Sequence, residues 1–444
     1  MLYSTTWLWG VISLVIHLSN IVVVAEVNTV DDDVCQSNDI NCYFRRYSNL
    51  TLHRINPVKV GHVRHLELEQ GKTYQIKTLA VKPPIFEISD FLSDAECDHI
   101  ISLAQNQGLE ASATVRDSIE LDMKNLGENT EDEFKEWDYD DNGRIDMDEM
   151  LKTLDVQVSF SPDRQTVLDM YANTGLDQDQ NGVISLEEFL KRNITAIALF
   201  IRHVKQEQPH TKGRHSEQTW LGEESAQDPV LKSIQRRVQR LTQLPTELVQ
   251  ASEYLQVVSY GPRGHYNCHL DSDFPSRDLE CCHLLGVDLS RCRICRYLTV
   301  LYFLNDVEEG GETAFPLADN STFDEKASDC VSAVSRCSCR LVWMRDEKNL
   351  CNLAKHCYSS NVVAKPSKGK AIMWYNHVIY EPTRWMGTVD HYSFHGGCDV
   401  RKGRKWIANS WIGVSNERQS DILNWIELGR ILADKSKDIK KDEL

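Results

Sequence analysis

At 444 residues, with 41% hydrophobic and 26% charged side chains, the chain has an ordinary globular composition and length enough for two or three domains. Its net charge of −17, unrelieved by any long basic run, argues against a nucleic-acid partner. Much of that acidity is local, between residues 117 and 188.

The chain opens on an apolar core, Trp7 to Leu18, followed by Ser19-Asn20 and Ile21 to Ala25. Val23 and Ala25 suit signal-peptidase cleavage after Ala25, and His17 and Asn20 interrupt the apolar run, which favours a cleaved signal peptide. No Lys or Arg precedes the core, and an uncleaved type II anchor is the alternative. Residues 26–82 read as an N-terminal region with a few short strands, among them His62 to Leu68 and Thr73 to Thr78, and carry no assignable chemistry. Pro83-Pro84 introduces a short strand over Ile85 to Phe91. Ser93-Asp94-Ala95-Glu96 is then a capping-box start for a helix with Ile100, Ile101, Leu103 and Ala104 behind it.

Two acidic loops interrupt this beginning. Asp138, Asp140, Asn142 and Asp146 stand at positions 1, 3, 5 and 9 of a twelve-residue EF-hand loop. Gly143 is at 6, the Arg144 carbonyl at 7, Ile145 at 8 and Glu149 at 12. Asp177, Asp179, Asn181, Gly182, Val183, Ile184 and Glu188 repeat the pattern. Oxygen ligands at alternate positions wrap a hard cation, so both loops are expected to bind Ca²⁺. Ile145 and Ile184 are expected to pair across them. Helical flanks over Glu131 to Trp137, Met147 to Leu154, Arg164 to Thr174 and Leu186 to Arg192 complete a paired module at about 115–210. Arg144 offers only its carbonyl, and its charge is expected to lower Ca²⁺ affinity.

After the insert, Pro229 to Leu244 reads as a core-packing amphipathic helix, with Val230, Leu231, Ile234, Val238 and Leu241 on one face. Short strands with turn signals dominate from Tyr254 to Ile412, as in a double-stranded jelly roll.

Within that region lies His269-Leu270-Asp271. On a strand, His269 and Asp271 point to the same face, giving two-thirds of a facial triad. Downstream, His395 precedes Gly396-Gly397, expected to form a tight bend, and Lys405 begins a strand-like run. A buried Lys needs a counter-charge. Taken singly, each of these residues has a plainer reading as a core histidine or a solvated basic turn.

Fourteen cysteines agree with an oxidising compartment, and ten of them fall between Cys268 and Cys357. Cys281-Cys282, Cys292 with Cys295, and Cys337 with Cys339 have zinc-like spacing, but disulfides are the stronger reading in a secreted chain. Cys35 and Cys42 are close enough to bridge each other. Sequons at Asn49, Asn193 and Asn320 suit a luminal glycoprotein. The C-terminal Lys441-Asp-Glu-Leu444 reads as an address for the KDEL receptor, placing the protein in the endoplasmic reticulum lumen.

Together, the H-x-D step, a distal His and a Lys ten residues after it resemble the 2-oxoglutarate-dependent prolyl 4-hydroxylases. The likeness extends to Gln256 to Tyr260, Gly264 to Tyr266, Tyr297 to Asn305, Gly310 to Pro316, Gly369 to Asn376 and Lys405-Trp406. An EF-hand pair inserted into the hydroxylase domain resembles a membrane-anchored branch of that family. The collagen-type enzymes instead carry a separate peptide-binding domain, which nothing here resembles.

The resemblance implies an α+β fold: a double-stranded β-helix (jelly-roll) oxygenase domain over 83–113 and 212–416, an all-α EF-hand module over 114–211, and a tail over 417–444. It implies Fe(II) on His269, Asp271 and His395, and 2-oxoglutarate with its far carboxylate on Lys405. It also implies O₂, ascorbate, and hydroxylation of a prolyl C4 in a protein or peptide substrate, with succinate and CO₂ released. Phe303 departs from the family, which commonly has Tyr there to help bind the co-substrate carboxylate; Tyr302 is expected to face the other way. His283, His377 and His391 lack the context of His395 and are not expected to bind metal. The rival readings are a hydroxylase of another residue such as lysine, and a luminal Ca²⁺-binding protein with a degenerate oxygenase domain.

Overall fold

The computed structural model describes residues 40–47, 49–112, 119–272, 294–321 and 352–415, with Arg418, Asp421 and Leu423. The N-terminal 39 residues, His283, the retention motif, Cys35 and the Cys281, Cys282, Cys292, Cys337 and Cys339 positions lie outside the described residues. Among the described residues, no helix is long and apolar enough to cross a membrane.

A nine-stranded sheet forms the floor of the molecule, in the order Val63–Glu69, Lys72–Ala80, Ile85–Ile88, Ala371–Tyr375, Ile294–Phe303, Lys405–Ser415, Leu255–Tyr260, Glu217–Leu221 and Glu110–Ala111. Its central strands are rich in β-branched and aromatic residues, which pack well on a pleated surface. Their period of two sorts side chains cleanly. From Ile294–Phe303, Val300 and Tyr302 face a core shared with the helices, whereas Leu301 and Phe303 face a second core between the sheets. The strands Val63–Glu69 and Lys72–Ala80 extend this same sheet on the N-terminal side of Ile85–Ile88.

The five-stranded second sheet runs Val362–Ala364, Thr313–Phe315, His395–Gly397, His265–His269 and Arg214–His215. Phe315 and Ala364 meet Val258, Leu301, Trp374 and Ile407 between the two layers. This is the jelly-roll arrangement, and residues at its inner faces are buried on both sides.

On the opposite face of the large sheet, the helix Pro229–Thr242 starts with Pro at its first turn, and the Asp228 side chain accepts from the Val230 and Leu231 amides. It buries Leu231, Ile234, Val238 and Leu241 as the spacing predicts. Gln243, in the left-handed region at φ 55°, ends the helix. The helix Asp94–Gln107 carries the expected capping box between Ser93 and Glu96. Arg237, 2% exposed, joins the two helices through Glu96 and the Phe91 carbonyl, with Glu69 3.4 Å away.

The insert is helical. Glu131–Trp137, Met147–Gln157, Arg164–Thr174 and Leu186–Leu190 flank the two loops, and Ile119–Asn125 and Ile194–Glu207 complete the unit. Its core gathers Phe134, Trp137, Leu154, Phe189, Ile197 and Ile201. Ile145 and Ile184 pair across the loops. Where the insert returns, Phe160 bridges Lys212, the Ser161 amide donates to Thr211 O at 2.8 Å, and Gly213 N to Ser159 O at 3.0 Å. The chain then enters Arg214–His215, which pairs with His265 and Tyr266.

One local expectation is corrected. Gly396 and Gly397 do not form a bend; they lie in the strand His395–Gly397. A Cβ at Gly396 would stand 2.5 Å from Tyr266 O and 2.6 Å from Leu353 Cδ1, so close packing of neighbouring segments is what excludes a side chain. The reversal comes later, at Gly403 with φ 90°.

Candidate metal and co-substrate site

The strand His265–His269 ends at its second histidine, so Asp271 lies just beyond the regular ladder. His269 pairs in register with His395 on the adjacent strand, bringing the distal histidine across from the first. His269 Nε2 stands 3.6 Å from Asp271 Oδ1, and His395 Nε2 stands 3.7 Å from Asp271 Oδ2. These three residues group as a potential metal-binding cluster, while His377 and His391 belong to no such cluster among the described residues.

Each histidine is set for ligation by its other nitrogen. His269 Nδ1 lies 2.9 Å from Asn267 O, and His395 Nδ1 lies 2.9 Å from Ser393 O. A carbonyl only accepts, so each Nδ1 carries the proton and each Nε2 offers a lone pair to the shared centre. Burial pushes the His395 imidazole down to about 4, against the pull of Asp271, which keeps it neutral as a ligand must be. Burial alone would raise the Asp271 carboxyl, but its surroundings, with the Arg296 guanidinium the permanent charge among them, hold it well below the usual range. Aromatic walls confine the group. Trp374 and Phe315 pack on His395 with ring centroids 4.6 and 5.3 Å away, and Tyr266 stacks on His269 at 3.7 Å.

Lys405 opens the strand Lys405–Ser415 and is 2% exposed. Burial pulls its ammonium down to about 7, partly offset by Glu312, and no carboxylate lies within ion-pair distance among the described residues. Its Nζ faces the Tyr260 ring at 5.2 Å and the Phe303 ring at 5.7 Å. Phe303 therefore does face Lys405, and Tyr302 turns to the other side, donating to Ser410 Oγ at 3.1 Å.

The space beside Lys405 is kept open by small residues. A Cβ at Gly397 would reach within 3.7 Å of its Nζ, and one at Gly311 within 3.3 Å of its Cδ. Thr313, on the strand paired with His395–Gly397, has a buried hydroxyl with no hydrogen-bond partner among the described residues. A charged amine and a lone hydroxyl left unpaired in an apolar chamber are costly unless an anionic ligand meets them. This donor set fits Fe(II) at the triad and a small dicarboxylate reaching towards Lys405. Thr313 and Tyr260 sit inside conspicuous sequence motifs, but the Tyr260 ring meets Lys405, and Thr313 comes opposite Gly397, only through sheet pairing, which no spacing displays.

The acidic loops form two further clusters, Asp138, Asp140 and Glu149, and Asp177, Asp179 and Glu188. Glu149 Oε1 accepts from Tyr139 N at 2.7 Å, and Glu188 Oε1 from Gln178 N at 2.8 Å, so each final glutamate closes back over its loop. Gly143 and Gly182 take φ of 81° and 80°, the sharp turn that the loop demands. Asn142 and Asn181 each donate to the neighbouring Asp, whereas Arg144 and Val183 follow at the carbonyl position.

Beyond the triad, Cys357 and Cys398 form a disulfide that ties the turn Cys357–Ser359 to the segment after His395.

Residues 255–413 match the 2OG-Fe(II) oxygenase superfamily, and residues 128–192 match an EF-hand domain pair. Human transmembrane prolyl 4-hydroxylase is 36% identical over 384 residues, covering 86% of this chain and 73% of the human protein; the mouse protein gives the same figures. Chicken prolyl 4-hydroxylase subunit alpha-2 is 28% identical over 210 residues, 47% of this chain and 27% of its own. A solved viral collagen prolyl hydroxylase from Paramecium Bursaria Chlorella virus-1 covers 74% of this chain and 96% of its own, with 18% identity and a TM-score of 0.32.

Proposed function

The chain belongs to the transmembrane prolyl 4-hydroxylase family, and from that premise we propose that it hydroxylates C4 of peptidyl proline, using Fe(II) and 2-oxoglutarate, in the endoplasmic reticulum lumen. The observation that carries the reading is Lys405, a buried amine with no ion-pair partner among the described residues, next to a three-ligand cluster and to the strand position Gly397, which Thr313 faces in register.

In this reading His269, Asp271 and His395 hold the metal. When bound, the iron, with 2-oxoglutarate and O₂, supplies the oxidising chemistry, and ascorbate sustains it. The protein's own work is binding and orientation. Lys405 neutralises the far carboxylate, and Thr313 donates a hydrogen bond beside it. Phe303 and Tyr260 keep water from that end, which strengthens the ion pair, while Phe315 and Trp374 shield the His395 side. His269, with its side chain 20% exposed against 6% for His395 and 5% for Asp271, marks the side from which a peptide approaches.

Procollagen-type sequences are the first substrates to test. The disulfide Cys357–Cys398 supports an oxidising compartment, and the KDEL receptor is the proposed retention partner. Succinate formation from 2-oxoglutarate with Fe(II), with and without proline-containing peptides, tests the reading beside a His269→Ala control. Peptide-stimulated turnover that the control lacks is expected. Absence of turnover with Ca²⁺ still bound would favour the Ca²⁺-binding-protein reading, and stimulation only by lysine-containing peptides would favour the lysine hydroxylase.

A further inference from the structure

Asp271 is buried, and its two oxygens are treated unequally. Oδ2 accepts from Thr299 Oγ1 at 2.7 Å and from Trp411 Nε1 at 3.0 Å, whereas Oδ1 has His269 Nε2 3.6 Å away. The two donors come from one row of the large sheet, because Thr299 pairs with Trp411 on one side and with Trp374 on the other. Paired residues in an antiparallel sheet share a face. Asn376, two residues beyond Trp374, completes the row: Trp374 Nε1 lies 2.9 Å from Asn376 Oδ1, and Asn376 Nδ2 lies 2.9 Å from Thr299 Oγ1.

The direction of every bond in this row is fixed by chemistry. An indole N–H can only donate, so the Asn376 amide must turn its oxygen to Trp374 and its NH₂ to Thr299. Thr299 therefore accepts from Asn376 and has its single proton to give, and a carboxylate can only accept it. Reversing any member would leave a buried donor facing a donor.

We propose that Thr299 and Asn376 are positioning residues for the metal, a one-way hydrogen-bond relay that ties down Asp271 Oδ2 and presents Oδ1 to the ion. The inference rests on the proposed Fe(II) site and deepens it. Asn376 never touches the ion or the substrate; it acts by holding the Thr299 hydroxyl in the one rotamer that reaches Asp271. His377, the next residue, holds the chain just beyond Asp271. Its Nδ1 donates to Gly387 O at 2.9 Å, so its Nε2 accepts from Ser272 Oγ at 2.8 Å, directly after Asp271.

The test is Co(II) titration of the full chain, read by the visible ligand-field bands of the bound ion, with apo thermal stability measured beside it. Thr299→Val keeps the shape and removes the donor; Thr299→Ser restores it; Asn376→Ala removes the brace. Thr299→Val and Asn376→Ala are expected to weaken Co(II) binding about 10- to 100-fold with altered band positions, and Thr299→Ser to return close to wild type. The proposal is overturned if Val and Ser lose affinity equally, or if folded Asn376→Ala binds Co(II) as wild type does with the same bands. Should Asn376→Ala not fold, the Val and Ser pair decides alone. If wild type itself takes no Co(II), it is the functional reading that fails; if wild type binds and Thr299→Val matches it, only the relay fails.

Discussion

Replacing Lys405 by Met should make the protein more stable and unable to bind its co-substrate. Burial lowers the Lys405 ammonium from 10.5 to about 7, which corresponds to roughly 5 kcal/mol of penalty against the charged form in its buried setting. Methionine fills a similar volume without a charge, and exchanging buried ionic groups for apolar ones commonly stabilises by about 1–4 kcal/mol. A gain of about 2 kcal/mol, or about 4–8 °C in Tm, is expected for the apo protein.

The pH dependence has a definite sign. Below about pH 7 the lysine is protonated both folded and unfolded, and the penalty is present in full. Between about pH 7 and 10 the unfolded chain keeps a proton that the folded chain has released, so wild-type stability rises with pH. The advantage of Lys405→Met is therefore largest at and below neutrality and shrinks towards pH 9. Differential scanning fluorimetry at pH 6.5 and 9, with Mn(II) and with or without 2-oxoglutarate, reads both effects. Wild type should gain stability from 2-oxoglutarate and the variant should not. A variant that is less stable at pH 6.5, or that still responds to 2-oxoglutarate, would refute the reasoning.

Phe303→Tyr places a hydroxyl on the ring that faces Lys405 at 5.7 Å; the KM for 2-oxoglutarate should fall about fivefold, as one added hydrogen bond of about 1 kcal/mol allows. Glu149→Gln and Glu188→Gln should each abolish tight Ca²⁺ binding at their own loop, so that calorimetry counts one site in each single variant and none in the double. Gly396→Ala forces a Cβ to within 2.5 Å of Tyr266 O; denaturant unfolding should show a loss of at least about 2 kcal/mol, with metal affinity falling because the displaced strand carries His395. Breaking the buried pair of Lys205 and Asp122, 3.1 Å apart, by Lys205→Met should cost about 3–5 kcal/mol. That loss should appear in the thermal unfolding of the EF-hand helices, since Lys205 also donates to Val158 O.

The local features of this protein were legible because they depend on short-range rules. The two Ca²⁺ loops, with Gly143 and Gly182 at the turn and Glu149 and Glu188 at the close, are contained within twelve residues each. The helix Pro229–Thr242 shows its buried face through its own period. The candidate triad is readable for a different reason: H-x-D, a later His and a Lys at a set distance together resemble a known family's pattern, which is recognisable without knowing how the strands pair.

What the sequence by itself determined, then, was the kind of fold, the inserted module and the identity of the candidate ligands. Tertiary structure decided how those groups are tuned. Gly396 looked like a turn residue and proved to be a packing necessity, because the atoms it would strike belong to Tyr266 and Leu353, far away in the chain. Tyr260 faces Lys405, Thr313 lies opposite Gly397, and Thr299, Trp374, Asn376 and Trp411 line up behind Asp271, only because strands distant in sequence pair in one register. Hydrogen bonds and burial act over a few ångströms in space, and a linear sequence does not display which residues the sheet will bring that close.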